Sequence, residues 1–168
     1  VHGIVTKSGG IVQARSEPDQ GSEFIVVLPA FDARAQRRQK TPDDLPRGNG
    51  EHILFVDDEK FQTDMAEELL VRLGYRVTAC SDSIQALEIF QSDSVDLVIS
   101  DIIMPRMSGQ LLAKRILGLS PGTPIILCSG YSDGVDPEEL VDQGIRHYLM
   151  KPVNMATLAG AIRETLTD

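Results

Sequence analysis

Cysteine is scarce in this chain, and the two present, Cys80 and Cys128, both fall in apolar, strand-like runs. That placement reads as small buried core residues, not as a disulfide or a metal-binding pair. No stretch approaches the ~20 apolar residues of a membrane span, and no signal peptide is visible. A soluble protein of a reducing compartment, the cytoplasm, is the expectation, with no membrane contact of its own. Positive charge is short as well: the formal net charge is −9, and it is unevenly placed. Residues 1–50 hold seven Lys/Arg against six Asp/Glu, whereas residues 51–168 hold nine against nineteen. So acidic a region repels nucleic acid and anionic lipid, which argues against direct DNA binding.

What remains is enough for one ordinary domain plus an appendage: 168 residues, 42% of them apolar. The chain opens on Val1 rather than Met and is expected to be cut from a longer protein. It divides near residue 50. From Phe31 to Gly50 the sequence FDARAQRRQKTPDDLPRGNG is basic, then punctuated by Pro and Gly, which is linker composition. Before it, 1–8 resembles a helix end closed by Gly9-Gly10, and 11–14 and 24–28 read as a hairpin. One helix end and one hairpin cannot bury a core alone, so residues 1–30 read as a remnant of another domain.

From residue 51 onward, strand and helix signals alternate. Strands are expected at 52–57, 75–80, 95–100, 124–128 and 145–150. Helices are expected near 60–73, 82–91, 109–118, 136–143 and 154–167. Met65, Leu69, Leu70 and Leu73 would form the inward face of the first, and Ile84, Leu87 and Phe90 that of the second. Five strands alternating with five helices predict a doubly wound α/β domain with a parallel sheet. The pattern leaves the strand order open; 2-1-3-4-5 is one of two common solutions.

Three of these apolar runs end in charge. His52–Val56 runs into Asp57-Asp58-Glu59, Val95–Ser100 into Asp101, and Ile145–Met150 into Lys151-Pro152. Ligands of open α/β sheets bind outside the carboxyl ends of the strands, so side-by-side ends would gather three Asp and one Lys in one pocket. Two carboxylates ~4 Å apart repel by about 4 kcal/mol at an effective dielectric of ~20. Either one protonates or a cation binds. Hard oxygens without His or Cys nearby favour Mg²⁺ or a similar ion. An Asp beside such a cation and a lysine is a plausible nucleophile toward phosphorus, giving an acyl phosphate. Ser129, at the end of Pro124–Cys128, could donate its hydroxyl to a phosphoryl oxygen.

The motifs ILFVDDE, DLVISDIIMPRMSG, PIILCSGYS and YLMKPV, in this order over residues 51–168, resemble the receiver domain of two-component response regulators. The resemblance implies a five-stranded sheet of order 2-1-3-4-5, with Asp101 as the phosphoacceptor. It implies Mg²⁺ held by Asp57, Asp58 and Asp101 with the backbone carbonyl of Ile103, and Lys151 paired with the phosphoryl group. It further implies a cis Lys151–Pro152 bond and a switch in which Ser129 swings toward the phosphoryl group and Tyr148 turns inward. The responding surface would comprise the 136–143 helix, the 145–150 strand and the last helix. Tyr131 and Ile103 are expected to flank the phosphoryl group and to slow its hydrolysis by their bulk.

Residues 1–30 resemble the tail of a histidine-kinase ATP-binding domain, and together the two resemblances imply a piece of a hybrid sensor histidine kinase. The nucleotide-binding boxes of that family would lie before Val1, so this piece is expected neither to bind ATP nor to act as a kinase. His2, His52 and His147 are not candidate phospho-donors. The expected partners are a histidine-kinase core, its own or another chain's, and a histidine phosphotransfer protein. A haloacid-dehalogenase-like phosphatase is the alternative, but it needs D-x-D after the first strand, where Asp57-Asp58-Glu59 stands. A nucleotide-binding flavodoxin-like module would want glycines in that loop. A degenerate receiver used only for protein contacts is a further alternative, which the intact acidic set opposes.

Overall fold

A computed structural model describes residues 2–7, 9–18, 21–29, 45–130, 140 and 143–167. It has two compact units, Val1–Gln39 and Lys40–Asp168. The first carries α1 (His2–Lys7) and an antiparallel hairpin of β1 (Ile11–Glu17) and β2 (Gly21–Val27). Both strands run further toward their turn than expected, with Ser16 paired to Ser22, their hydroxyls 2.9 Å apart. Ile11 and Phe24 are 61% and 71% exposed. With neither face buried, apolar alternation could not mark the full ladder.

The second unit holds β3 (His52–Val56), α2 (Lys60–Arg72), β4 (Arg76–Cys80), α3 (Ser83–Ser92), β5 (Leu97–Asp101), α4 (Gly109–Leu119), β6 (Ile125–Ser129), β7 (His147–Met150) and α5 (Met155–Thr167). The five strands form one parallel sheet in the order β4-β3-β5-β6-β7, which is 2-1-3-4-5 counted within this unit. Alternation along each strand divides the core into two layers. Leu54, Val56, Val98, Ile125 and Leu127 pack with α3 and α4 on one face. Ile53, Leu97, Ile99, Ile126 and Leu149 pack with α2 and α5 on the other. The helix expected at 136–143 lies almost wholly outside the described residues.

The helix faces keep Leu69, Leu70 and Leu73 of the first helix and Leu87 and Phe90 of the second inward, as expected, but one residue of each face turns outward. α2 buries Thr63, Ala66 and Leu70, while Met65 is 54% exposed. α3 buries Ser83 and Ala86, while Ile84 is 43% exposed. Small residues such as Ala66 and Ala86 are buried beside larger ones such as Leu70. α2 ends in a left-handed Gly74 (φ 93°), whose N–H bonds the Val71 carbonyl while that of Tyr75 reaches Leu70. These are the two hydrogen bonds of a Schellman closure.

Residues 45–50, expected as the end of a linker, pack against this unit. Leu45 is buried in the α2/α5 core layer. The N–H groups of Gly48 and Gly50 donate to the carbonyls of Leu73 and Gly74, at 2.8 and 2.9 Å. A Cβ on Gly48 would stand 2.4 Å from the Tyr75 ring, so only glycine permits this approach.

Candidate functional site

Alternation also decides which strand-end side chains meet. Asp57 continues the parity of Ile53 and Phe55, Asp101 that of Leu97 and Ile99, and Lys151 that of Leu149. All three therefore emerge on the α2/α5 side at the carboxyl edge of β3, β5 and β7. The Lys151 ammonium donates to Asp57 Oδ2 at 2.7 Å and lies 2.6 Å from Asp101 Oδ1. Asp57 is 2% exposed and Asp101 8%, and the Lys151–Pro152 peptide is cis. The other Asp57 oxygen accepts from the Glu59 N–H at 3.0 Å, which fixes the carboxylate.

One ammonium thus bridges two carboxylates, and the site stays short of positive charge. Burial raises the Asp101 carboxyl above its ordinary value; Lys151 opposes this, and the charges of Asp57 and Asp58 add to it. Burial pulls the Lys151 ammonium down, but the hydrogen bonds it donates to Asp101 and Asp57 outweigh this and leave Lys151 well above the usual lysine range. Behind them, burial pushes the Cys128 thiol up to about 12, so it stays protonated and inert. Cys80 and Cys128 are both free and buried.

Asp58 is exposed beside this pair, and Ile103 is 60% exposed in the loop after β5. Among the described residues, no three His, Cys, Asp or Glu side chains stand as a complete metal-ligand set. The donors still suit a hard cation that retains water: two buried carboxylates and an exposed third that acts on Asp101 through its charge. Ser129 and Tyr148 lie on the other face. Ser129 is fully buried, and its hydroxyl donates to the Gly130 carbonyl at 2.8 Å. Tyr148 is half-buried against the α3/α4 layer. Tyr131 lies outside the described residues.

Two features of the site escaped the sequence reading. Gly109 opens α4, and a Cβ there would stand 2.0 Å from the Asp101 backbone oxygen. Its missing side chain lets the helix start press against the strand end that carries Asp101. Its signal was the SG dipeptide of DIIMPRMSG. A cavity of about 840 Å³ also runs from Asp57 and Asp101 between α2 and α5, and Met65, read as core, is one of its walls.

Known proteins share this fold. Residues 53–163 match the model of the response regulator receiver domain. The chain is 29% identical over 176 residues to the sensor kinase CckA of Brucella abortus, covering 99% of this chain and 19% of that kinase. It also spans about half or less of several transcriptional regulators that it resembles. A crystal structure of a response regulator receiver domain protein from Clostridium thermocellum superimposes with a TM-score of 0.67 at 31% identity, over 70% of this chain and 94% of that one. TrrA of Thermotoga maritima, solved in complex with Mg²⁺-BeF, does so with a TM-score of 0.63 at 32% identity, over 69% and 99%. These matches do not favour the dehalogenase-like alternative. With its 2-1-3-4-5 parallel sheet and its acidic strand ends, the chain belongs to the response regulator receiver domain family.

Proposed function

We propose that Asp101 is the phosphoacceptor of this receiver domain, taking its phosphoryl group from a phosphohistidine within a two-component phosphorelay. The observation that carries this is the buried Asp101 carboxylate, raised by burial and bridged by Lys151 to Asp57 at the end of the sheet's central strand. A carboxylate oxygen attacks phosphorus, the O–P bond forms as the N–P bond breaks, and the imidazole nitrogen leaves with the bonding pair. Lys151 holds the carboxylates in place and pairs with a phosphoryl oxygen. Asp57, Asp58, Asp101 and the Ile103 carbonyl are the proposed holders of Mg²⁺, which supplies charge neutralisation of the phosphoryl oxygens when bound. Ser129 exchanges its bond to Gly130 for one to the phosphoryl group, and Tyr148 turns inward behind it.

The likeness to CckA supports a place in a hybrid sensor kinase, with residues 1–30 as the end of its ATP-binding domain. A histidine-kinase core or a histidine phosphotransfer protein is then the partner, and the cytoplasm the compartment. Among the described residues, no helix is long and apolar enough to cross a membrane.

Incubation with acetyl phosphate and Mg²⁺, followed by intact mass, tests the central claim. One phosphoryl addition is expected in the wild-type chain and none in Asp101→Asn. An addition that survives in Asp101→Asn overturns the assignment.

A further inference from the structure

Among the described residues, Arg106 is the one non-glycine residue with positive φ, at 67°. Side chains rarely adopt that left-handed conformation, and a glycine would adopt it freely. Arg106 lies in the loop from Ile102 to Ser108 that joins β5 to α4 and carries Ile103. Its guanidinium pairs with Asp82. Asp82 is itself fixed: it is the N-cap of α3 and accepts from the N–H groups of Ile84 and Gln85 at 2.8 and 3.2 Å. The next residue, Ser83, donates to the Pro105 carbonyl at 3.4 Å. Met104 and Met107, on either side of this pair of contacts, are buried in the α3/α4 layer.

The topology gives these contacts their meaning. β4 and β5 flank β3, so the turn after β4 and the loop after β5 stand on either side of the Asp57-Asp58 end. Asp82 belongs to the first and Arg106 to the second. The pair therefore ties together the two connections that border the acidic site, on the side away from Lys151.

We propose that the Asp82–Arg106 pair is a latch that fixes the Ile102–Ser108 loop, and so sets the Ile103 carbonyl for the cation. This rests on the reading of Asp57, Asp58, Asp101 and Ile103 as the Mg²⁺ site. Arg106 touches neither the cation nor the phosphoryl group; it is a positioning residue. The competing explanation is a tight turn that happens to hold an arginine.

Arg106→Gly separates the two, because glycine keeps the turn and removes the latch. Two readouts are taken on the full chain: Mg²⁺ affinity by calorimetric titration, and hydrogen exchange of the Ile103, Met104 and Met107 amides in metal-free protein. The latch predicts Mg²⁺ affinity three- to tenfold weaker and faster exchange in Arg106→Gly. Arg106→Lys recovers most of both. Asp82→Asn, which keeps a capping oxygen, reproduces the loss, and the double variant is no worse than either single one. Affinity within twofold of wild type and unchanged exchange in Arg106→Gly overturn the latch, as do fully additive single variants. A wild-type chain that binds no Mg²⁺ overturns the cation-site reading instead, and the exchange measurement then decides whether the pair holds the loop.

Discussion

The two ends of the five-stranded sheet both bury polar groups, to similar depth and with opposite electrostatic results. At the amino edge, His52 is 2% exposed. Its ring nitrogens lie 2.6 Å from the Ser94 carbonyl oxygen and 2.8 Å from the Thr78 hydroxyl, and its backbone N–H donates to Asp96 at 2.7 Å. Nearby, Glu51 pairs one-to-one with Arg163 at 3.0 Å. At the carboxyl edge, two buried carboxylates share one ammonium, and one of them is pushed upward by its burial. Burial of a polar residue therefore does not mark the functional end. An unbalanced charge held there by the fold does.

The strongest way to break this contrast is Asp101→Asn. Phosphorylation is lost, and the fold gains stability at pH 7. The sign follows from the raised Asp101 carboxyl, which binds a proton more tightly folded than unfolded. Ionised Asp101 thus opposes folding at pH values above its folded-state value, and the penalty fades as pH falls through that value. Thermal melts should show Asp101→Asn above wild type at pH 7, with the gap closing as pH falls toward the ordinary carboxylate range. An equal or lower melting temperature at pH 7 would remove the claim that this end is held under charge imbalance.

The converse perturbation is Leu45→Ala, expected to cost about 2–4 kcal/mol of stability with the extent of phosphorylation unchanged. Leu45 is 5% exposed in the α2/α5 layer and precedes the bonds from Gly48 and Gly50 that secure residues 45–50. Chemical denaturation checks the first part and intact mass after acetyl phosphate the second. A loss below about 0.5 kcal/mol would make this segment a loose tether after all.

Gly109→Ala sits between these cases, because its Cβ would meet the Asp101 backbone oxygen at 2.0 Å. Relieving that overlap shifts either α4 or Asp101, at a cost of about 1–3 kcal/mol. Unlike Leu45→Ala, it should also slow phosphorylation by acetyl phosphate, by roughly a factor of ten for each 1.4 kcal/mol of misplaced geometry. Wild-type rates in a destabilised variant would show that α4 yields and the strand end does not.

The sheet was legible because five apolar runs alternate with helical stretches, and the candidate site because three of those runs end in charge. The inward faces of the helices were less so: side-chain size pointed to Met65 and Ile84, whereas close packing on the sheet selects Ala66 and Ala86. The segment LPRGNG reads as linker by composition, yet its glycines serve close approach to Tyr75 and the end of α2. The Gly109 contact left only an SG dipeptide as its trace, and the Asp82–Arg106 pair left none that could be read in one dimension. Each depends on which connections border β3 and β5, and strand order is not written in local pattern.

The smallest effect refines the contrast within the carboxyl edge. Ile103, two residues after Asp101, is an apolar side chain left 60% exposed. On the proposed function it would flank the acyl phosphate on the path of an attacking water, and its side chain would offer that water no hydrogen bond. Ile103→Asn supplies an acceptor and a donor at the same place, so decay should quicken about three- to tenfold, close to 1 kcal/mol in the barrier. The phosphorylated chain is freed of acetyl phosphate and followed by intact mass over time, with and without Mg²⁺. Quicker decay places the control of lifetime in an exposed, uncharged residue, separate from the buried charges around the proposed phosphoacceptor Asp101. Decay equal to or slower than wild type would return that control to the buried charges themselves.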